Sequence, residues 1–200
     1  MQAPRHLLVL DLDGALMSAS SEACIVARPH VRDFLVAAQA LGYELAVWSA
    51  SSLEWIRTVL RAVWPTDAVG EPVFVFSAKE CTFRRFRNGL HEAAEATVIK
   101  RLHKVWKRHP HYTKEHTLIL DDTPSTYSQN YGNALAIPTF QACNTATDRE
   151  LLKTLPLLKL LKEADNVRAI DRATLRANSS DQQCGRNPLN ANMSNYGCVA

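Results

Sequence analysis

Short apolar runs alternate along the chain with longer stretches of helical period. His6–Leu10 is almost uniformly apolar, the pattern of a strand buried on both faces. Pro29–Leu41 repeats its apolar positions every three to four residues, with proline in the first turn and Gly42 just past the end, which predicts a helix. Glu44–Trp48 predicts a second strand. Ser51 and Glu54 form a capping box that opens a helix to about Val63, and Val73–Phe76 predicts a third strand. Residues 81–90 read as a small hairpin or loop, and Thr97–Arg108 reads as a helix. Thr117–Leu120 is a fourth buried strand, followed by a short helix capped at Thr123-Pro124. Leu135–Ile137 makes a fifth strand, and Thr147 with Glu150 caps a last helix to about Leu161.

Strands and helices in alternation predict an α/β fold, a Rossmann-type parallel sheet flanked by helices, with any active site outside the carboxyl ends of the strands. The pattern fills residues 1–165 as one domain, and 166–200 reads as a polar, disordered tail rich in Asn, Ser and Gln toward its end. A chain of 200 residues, 46% hydrophobic and 22% charged, buries a sizeable core without staples. No apolar run approaches the roughly 18 residues of a membrane span. Leu7–Leu10 is too short for a secretory signal, so an intracellular protein, nuclear or cytosolic, is expected. Cys24, Cys81, Cys143, Cys184 and Cys198 are odd in number and scattered, the usage of reduced thiols.

The net charge of +3 says little about partners, but its distribution is uneven. Residues 79–108 carry nine Lys or Arg against three Glu. A solvated helix face accounts for this; an electrostatic funnel for an anionic substrate is the functional alternative. Phe83-Arg84-Arg85-Phe86-Arg87 could stack on RNA, but it is read as a substrate-facing insert, and neither nucleic acid nor membrane is expected as a partner.

Four short segments carry candidate chemistry. Asp11-Leu12-Asp13-Gly14 leaves the first strand with two carboxylates two residues apart, one able to attack and the other to deliver a proton. Ser49 ends the second strand, where its hydroxyl and backbone amides such as that of Ala50 can donate to a phosphoryl oxygen. Lys100 sits in a basic segment whose plain reading is surface. Asp121-Asp122 follows a buried strand, and adjacent carboxylates there repel unless a cation or a lysine neutralises them. The four histidines between His103 and His116 are spaced irregularly and are read as surface.

In this order, Asp-x-Asp, Ser, Lys and Asp-Asp resemble the four-part signature of the haloacid dehalogenase-like phosphatases. Asp11-Leu12-Asp13-Gly14-Ala15-Leu16, Arg28-Pro29-His30-Val31-Arg32-Asp33-Phe34-Leu35, Trp48-Ser49-Ala50-Ser51 and Leu120-Asp121-Asp122-Thr123-Pro124-Ser125-Thr126-Tyr127 resemble the NLI-interacting-factor-like phosphatases of the RNA polymerase II C-terminal domain. Val47–Ile56 and Val105-Trp106-Lys107 look most like the catalytic domain of the branch that carries a ubiquitin-like domain.

The resemblance implies a haloacid dehalogenase-like sheet without a large cap domain, and a Mg2+-dependent phosphatase acting on phosphoserine or phosphothreonine in proteins. It implies Asp11 as nucleophile and Asp13 as acid and base, with Ser49, Ala50 and Lys100 on the phosphate. Asp11, Asp13 through its backbone carbonyl, Asp121 and Asp122 would hold Mg2+, with Asp122 the direct ligand of the last pair. The chain departs from the family where Ala15 replaces the usual Thr, and where the Leu16–Arg28 segment is too short for the proline-reading hairpin of the small phosphatases. A catalytically idle binding protein of the translocase type and a small-molecule phosphatase are the alternatives.

Overall fold

A computed structural model describes residues 4–21, 24–85, 96–130 and 132–170. In chain order the strands are β1 (His6–Leu10), β2 (Met17–Ser21), β3 (Cys24–Ala27), β4 (Tyr43–Trp48), β5 (Val75–Phe76), β6 (Thr82–Arg85), β7 (Ala96–Ile99), β8 (Thr117–Asp121) and β9 (Ala134–Ala136). The helices are α1 (Val31–Ala40), α2 (Leu53–Val63), α3 (Thr66–Val69), α4 (His103–Arg108) and α5 (Glu150–Lys162). Five strands form one parallel sheet in the order β5-β4-β1-β8-β9. This is the predicted Rossmann-type parallel sheet, and its central strand is the first one.

Pleating sorts the apolar runs onto two faces. Leu8 and Leu10, with Leu45, Val47, Leu118 and Leu120, join a core built with Phe34 and Leu35 of α1, Ile56 and Val59 of α2, and Leu151, Leu158 and Leu161 of α5. Leu7, Val9, Ala46, Trp48 and Ile119 face the other way, onto Leu102, Val105 of α4 and Tyr112. Burial of each such side chain stabilises by roughly 1.5–3 kcal/mol. Both faces are filled, so the strands read as continuous apolar runs. Among the described residues no helix is long and apolar enough to cross a membrane.

Several local expectations are corrected. Ser52, and not Ser51, caps α2, its Oγ accepting from the Trp55 amide at 3.2 Å. Thr97–Ile99 is strand and not helix. Its three successive β-branched residues favour an extended chain, and β6 offers a partner, with Phe83 opposite Val98 and Thr82 opposite Ile99. Lys100 therefore follows a strand, and the helix is confined to α4. The segment after Thr123 is a series of turns, because the Thr126 hydroxyl donates back to the Thr123 carbonyl at 2.7 Å and competes with helical bonding. At the start of α5 Asp148 accepts from the Glu150 amide at 3.2 Å in place of Thr147.

Outside the main sheet lie two antiparallel pairs, β2-β3 and β6-β7. These are the only strands beyond that sheet among the described residues, and no large cap is formed by them. Packing continues close to Ile170, the last of the described residues: Val167 is buried and its amide donates to the Glu115 carbonyl at 2.9 Å. The expected polar tail lies, from residue 171 on, outside the described residues.

Candidate active site

β1, β4 and β8 end side by side, and each delivers a polar group at its carboxyl end. The Asp11 amide donates to the Leu120 carbonyl at 2.9 Å, so the sheet ladder itself fixes where the first carboxylate starts. Asp11 and Asp121 are buried, at 6% and 0% exposure, and Lys100 is buried at 1%. Its ammonium lies 2.7 Å from Asp11 Oδ1 and 2.7 Å from Asp121 Oδ2. Burial alone would pull the Lys100 pKa down, but the two carboxylates outweigh it and hold the ammonium above its usual value. For Asp11, burial pushes the carboxyl up, with Asp121 adding and Lys100 opposing, to about 7.

Carboxylate oxygens of Asp11, Asp121 and Asp122 lie within 4.8 Å of one another. Three acidic groups face one lysine here, and their donors are all hard oxygens. That set fits a divalent cation such as Mg2+ or Ca2+. Asp121 already accepts from Lys100 and, on its other oxygen, from the Thr123 amide at 2.9 Å. Asp122 accepts from the hydroxyls of Thr139, at 2.7 Å, and Thr123, at 3.3 Å. Gly14 makes room for it: a Cβ there would stand 2.3 Å from Asp122 Oδ2, and the backbone is left-handed at φ +80°.

The loop that carries Asp11 and Asp13 is tied from below. The buried Arg28 guanidinium donates to the carbonyls of Ala15, at 3.0 Å, and Gly14, at 3.3 Å. Its other nitrogens bind Asp148 bidentately, at 3.0 and 2.8 Å. The Phe140 amide also donates to the Gly14 carbonyl, at 2.7 Å. Ala15 itself is fully buried in the apolar core. Main-chain ties thus hold the loop around position 15, which lacks the hydroxyl usual in the resembled family.

Asp13 points the other way. It is exposed, and its Oδ2 accepts from Ser49 Oγ at 3.3 Å and Ser51 Oγ at 3.2 Å, while Oδ1 accepts from Trp55 Nε1 at 3.3 Å. Ser49 Oγ in turn accepts from the Ser51 amide at 3.2 Å. Ala50 is exposed between the two serines. The predicted residues therefore form two groups: Asp11, Lys100 and Asp121, buried, with the half-buried Asp122 beside them, and Asp13 and Ala50, exposed, with the buried Ser49 bonded to Asp13.

A family model described as NLI interacting factor-like phosphatase matches residues 6–168. The chain belongs to the NLI interacting factor-like phosphatases. Ubiquitin-like domain-containing CTD phosphatase 1 of Xenopus laevis is 28% identical over 171 residues, covering 82% of this chain and 52% of the relative. A probable C-terminal domain small phosphatase of Dictyostelium discoideum is 28% identical over 190 residues, covering 84% of this chain and 55% of the relative. The chain thus spans about half the length of the curated relatives it matches. Among solved structures, an uncharacterized protein from Listeria monocytogenes serotype 4b superposes with a TM-score of 0.53 at 13% identity, covering 80% of this chain and 99% of the other, a likeness of fold alone.

For this NLI interacting factor-like phosphatase, sequence reasoning missed the supporting residues. Asn130 is buried; its amide nitrogen donates to the Lys100 carbonyl at 2.8 Å and its oxygen accepts from the Leu102 amide at 3.0 Å. The Lys100 amide donates to the Thr126 carbonyl at 2.7 Å. These bonds fasten the lysine loop to the turns after β8. An asparagine within a polar turn gives no sign that it spans thirty residues. The Trp55 indole N–H donates to Asp13 Oδ1 at 3.3 Å, whereas the Trp106 indole donates to Thr117 Oγ1 at 3.1 Å.

Proposed function

We propose that this chain is a Mg2+-dependent phosphoserine/phosphothreonine protein phosphatase that works through an aspartyl-phosphate on Asp11. The observation that carries the reading is the Lys100 ammonium held between Asp11 and Asp121, with the Asp122 carboxylate beside them, at the carboxyl ends of β1 and β8. A cation buried among acids at that place can receive the oxygens of a phosphoryl group as it approaches Asp11.

In the first step an Asp11 oxygen attacks phosphorus and the bond from phosphorus to the seryl oxygen breaks. Asp13 gives its proton to that leaving oxygen. In the second step Asp13, now a carboxylate, takes a proton from water; the water oxygen bonds to phosphorus, and the Asp11 carboxylate departs from the released phosphate. Lys100 and Ser49, with the Ala50 amide, hold the equatorial oxygens, and loss of one such donor typically costs about a hundredfold or more in rate. Asp11, Asp121 and Asp122, with the Asp13 carbonyl, would hold Mg2+, Asp122 as the direct ligand of the adjacent pair. When bound, Mg2+ neutralises phosphate charge that would otherwise repel the nucleophile.

A protein substrate fits a rim flanked, among the described residues, by two short strand pairs rather than a folded cap. The relatives' names, as CTD phosphatases, support the same class. The Arg28 ties to Gly14 and Ala15 weigh against an idle binding protein, the reading that Ala15 favours.

The test is a Mg2+ assay on an aryl phosphate, phosphoserine peptides and sugar phosphates, beside Asp11→Asn. Peptide turnover with a phosphoryl adduct on intact protein, absent from the variant, is expected. No turnover ends the enzyme reading, and preference for sugar phosphates ends the protein-phosphatase reading.

A further inference from the structure

Asp13 stands at the solvent edge of the site, where a carboxyl is free to rotate unless something holds it. Three donors do. Two hydroxyls, of Ser49 at 3.3 Å and Ser51 at 3.2 Å, meet Oδ2, and the Trp55 indole N–H meets Oδ1 at 3.3 Å. Their scaffolding is local and connected. The Trp55 amide donates to the Ser52 cap at 3.2 Å, the Ser51 carbonyl accepts from the Ala78 amide at 2.9 Å, and the Ser51 amide donates to Ser49 Oγ at 3.2 Å. All three donors thus come from one short stretch, from the end of β4 to the first turn of α2.

These donors are not equivalent. A serine hydroxyl has one proton, so Ser49 cannot give it to Asp13 and to a phosphoryl oxygen at once. Once Ser49 turns to the phosphoryl group, Asp13 keeps Ser51 and Trp55. An indole N–H can only donate, whereas a hydroxyl can turn round and accept. Oδ1, facing the indole, must therefore stay free of a proton. Oδ2, among hydroxyls, can carry one.

Resting on the reading of Asp13 as the acid and base of the reaction, we propose that Trp55 and Ser51 are positioning residues that aim its proton. Trp55 reserves Oδ1 as an acceptor, so the proton given to the leaving oxygen rides on Oδ2. Ser51 keeps the carboxyl in place while Ser49 is engaged with phosphate.

Leaving groups distinguish this role from mere contact. Para-nitrophenolate departs from phosphorus without a proton, whereas phenolate from phenyl phosphate gains from one, and the two esters differ little in size. Values of kcat/KM for a series of substituted phenyl phosphates, with Mg2+ and the whole chain, report steps up to the first bond cleavage. Trp55→Phe, which keeps the ring and removes the N–H, should lose about tenfold more on phenyl phosphate than on para-nitrophenyl phosphate, a fraction of what a general acid supplies. Ser51→Ala should tilt the series the same way, and Ser51→Thr, which restores a hydroxyl, should level it. A uniform loss across the series, or none, in variants with an unchanged unfolding midpoint overturns the assignment alone. A parent protein that turns over no member of the series overturns the phosphatase reading, and this assignment with it.

Discussion

The inner and outer halves of the site solve opposite problems with the same residue type. Asp11 is buried at 6% exposure and faces, at 2.7 Å, a lysine that is itself buried at 1%. Asp13, two residues on, is exposed and held, among the described residues, by neutral donors. A buried ionic group cannot change partners cheaply, because each separation leaves an uncompensated charge in low dielectric. A carboxyl at the rim can release one hydroxyl and keep two other donors. On the proposed reading, rigidity belongs where a phosphoryl group would be gripped, and exchange belongs where a proton would pass.

The sharpest way to break this contrast is to neutralise each aspartate in turn. Asp11→Asn should lower kcat on an aryl phosphate by about 10⁴-fold or more, since no covalent route remains. Asp13→Asn should lower kcat/KM on phenyl phosphate by about 10²–10⁴-fold. Urea unfolding should find Asp13→Asn within about 0.5 kcal/mol of the parent, as for an ordinary surface change. A large loss of stability from the exposed aspartate would erase the division between the halves.

Lys100→Met tests the inner half by itself. It leaves two buried carboxylates without their cation and should cost about 3–5 kcal/mol of unfolding free energy in the presence of a chelator. Added Mg2+ should recover part of that loss. A variant as stable as the parent in chelator would mean that the buried lysine is not what makes the acidic cluster tolerable.

How legible this was depends on the range of the interactions. Leu7–Leu10, Leu45–Trp48 and Leu118–Leu120 announced the central strands because burial on both faces leaves no room for polar residues. Asp11, Asp121 and Asp122 were legible as a group because each directly follows or ends such a strand, and parallel strands bring those ends together. Lys100 was identified but set on a helix. Its true setting depends on β6 pairing with β7, and no local pattern outweighed the basic residues that follow. Ser51 looked like a cap because Ser51 and Ser52 are both competent, and only the Trp55 amide decides between them. The Arg28–Asp148 tie spans 120 residues and Asn130 acts through backbone atoms, so neither leaves a spacing to read.

Gly14 joins the two halves. It separates Asp13 from the buried loop, and Asp122 packs where a Cβ would sit, 2.3 Å from Oδ2. Gly14→Ala should therefore strain the left-handed backbone by about 1–3 kcal/mol and push Asp122 out of the cluster. Titration calorimetry should show weakened Mg2+ binding. Unchanged Mg2+ affinity would place Asp122 outside the cation site.

The smallest effect expected concerns the tie beneath both halves. In Asp148 partial burial opposes ionisation, but the hydrogen bonds and charge of Arg28 outweigh it and hold the carboxyl below its ordinary value. A depressed folded-state value means that the unfolded chain binds the proton more readily, so this stabilisation is complete above the unfolded value, near pH 4, and is lost as pH falls through the lower folded one. Asp148→Asn should cost about 1–3 kcal/mol near neutral pH, the loss of a charge-assisted pair. The gap between parent and variant in urea unfolding should narrow as the pH is lowered from 6 toward 3, because protonation removes in the parent what the substitution has already removed. The other carboxylates titrate in both proteins and cancel from the difference. A gap that stays constant over that range would mean that Asp148 serves Arg28 by shape and neutral hydrogen bonding, and that the charge on this pair contributes nothing to holding the loop of Asp11 and Asp13.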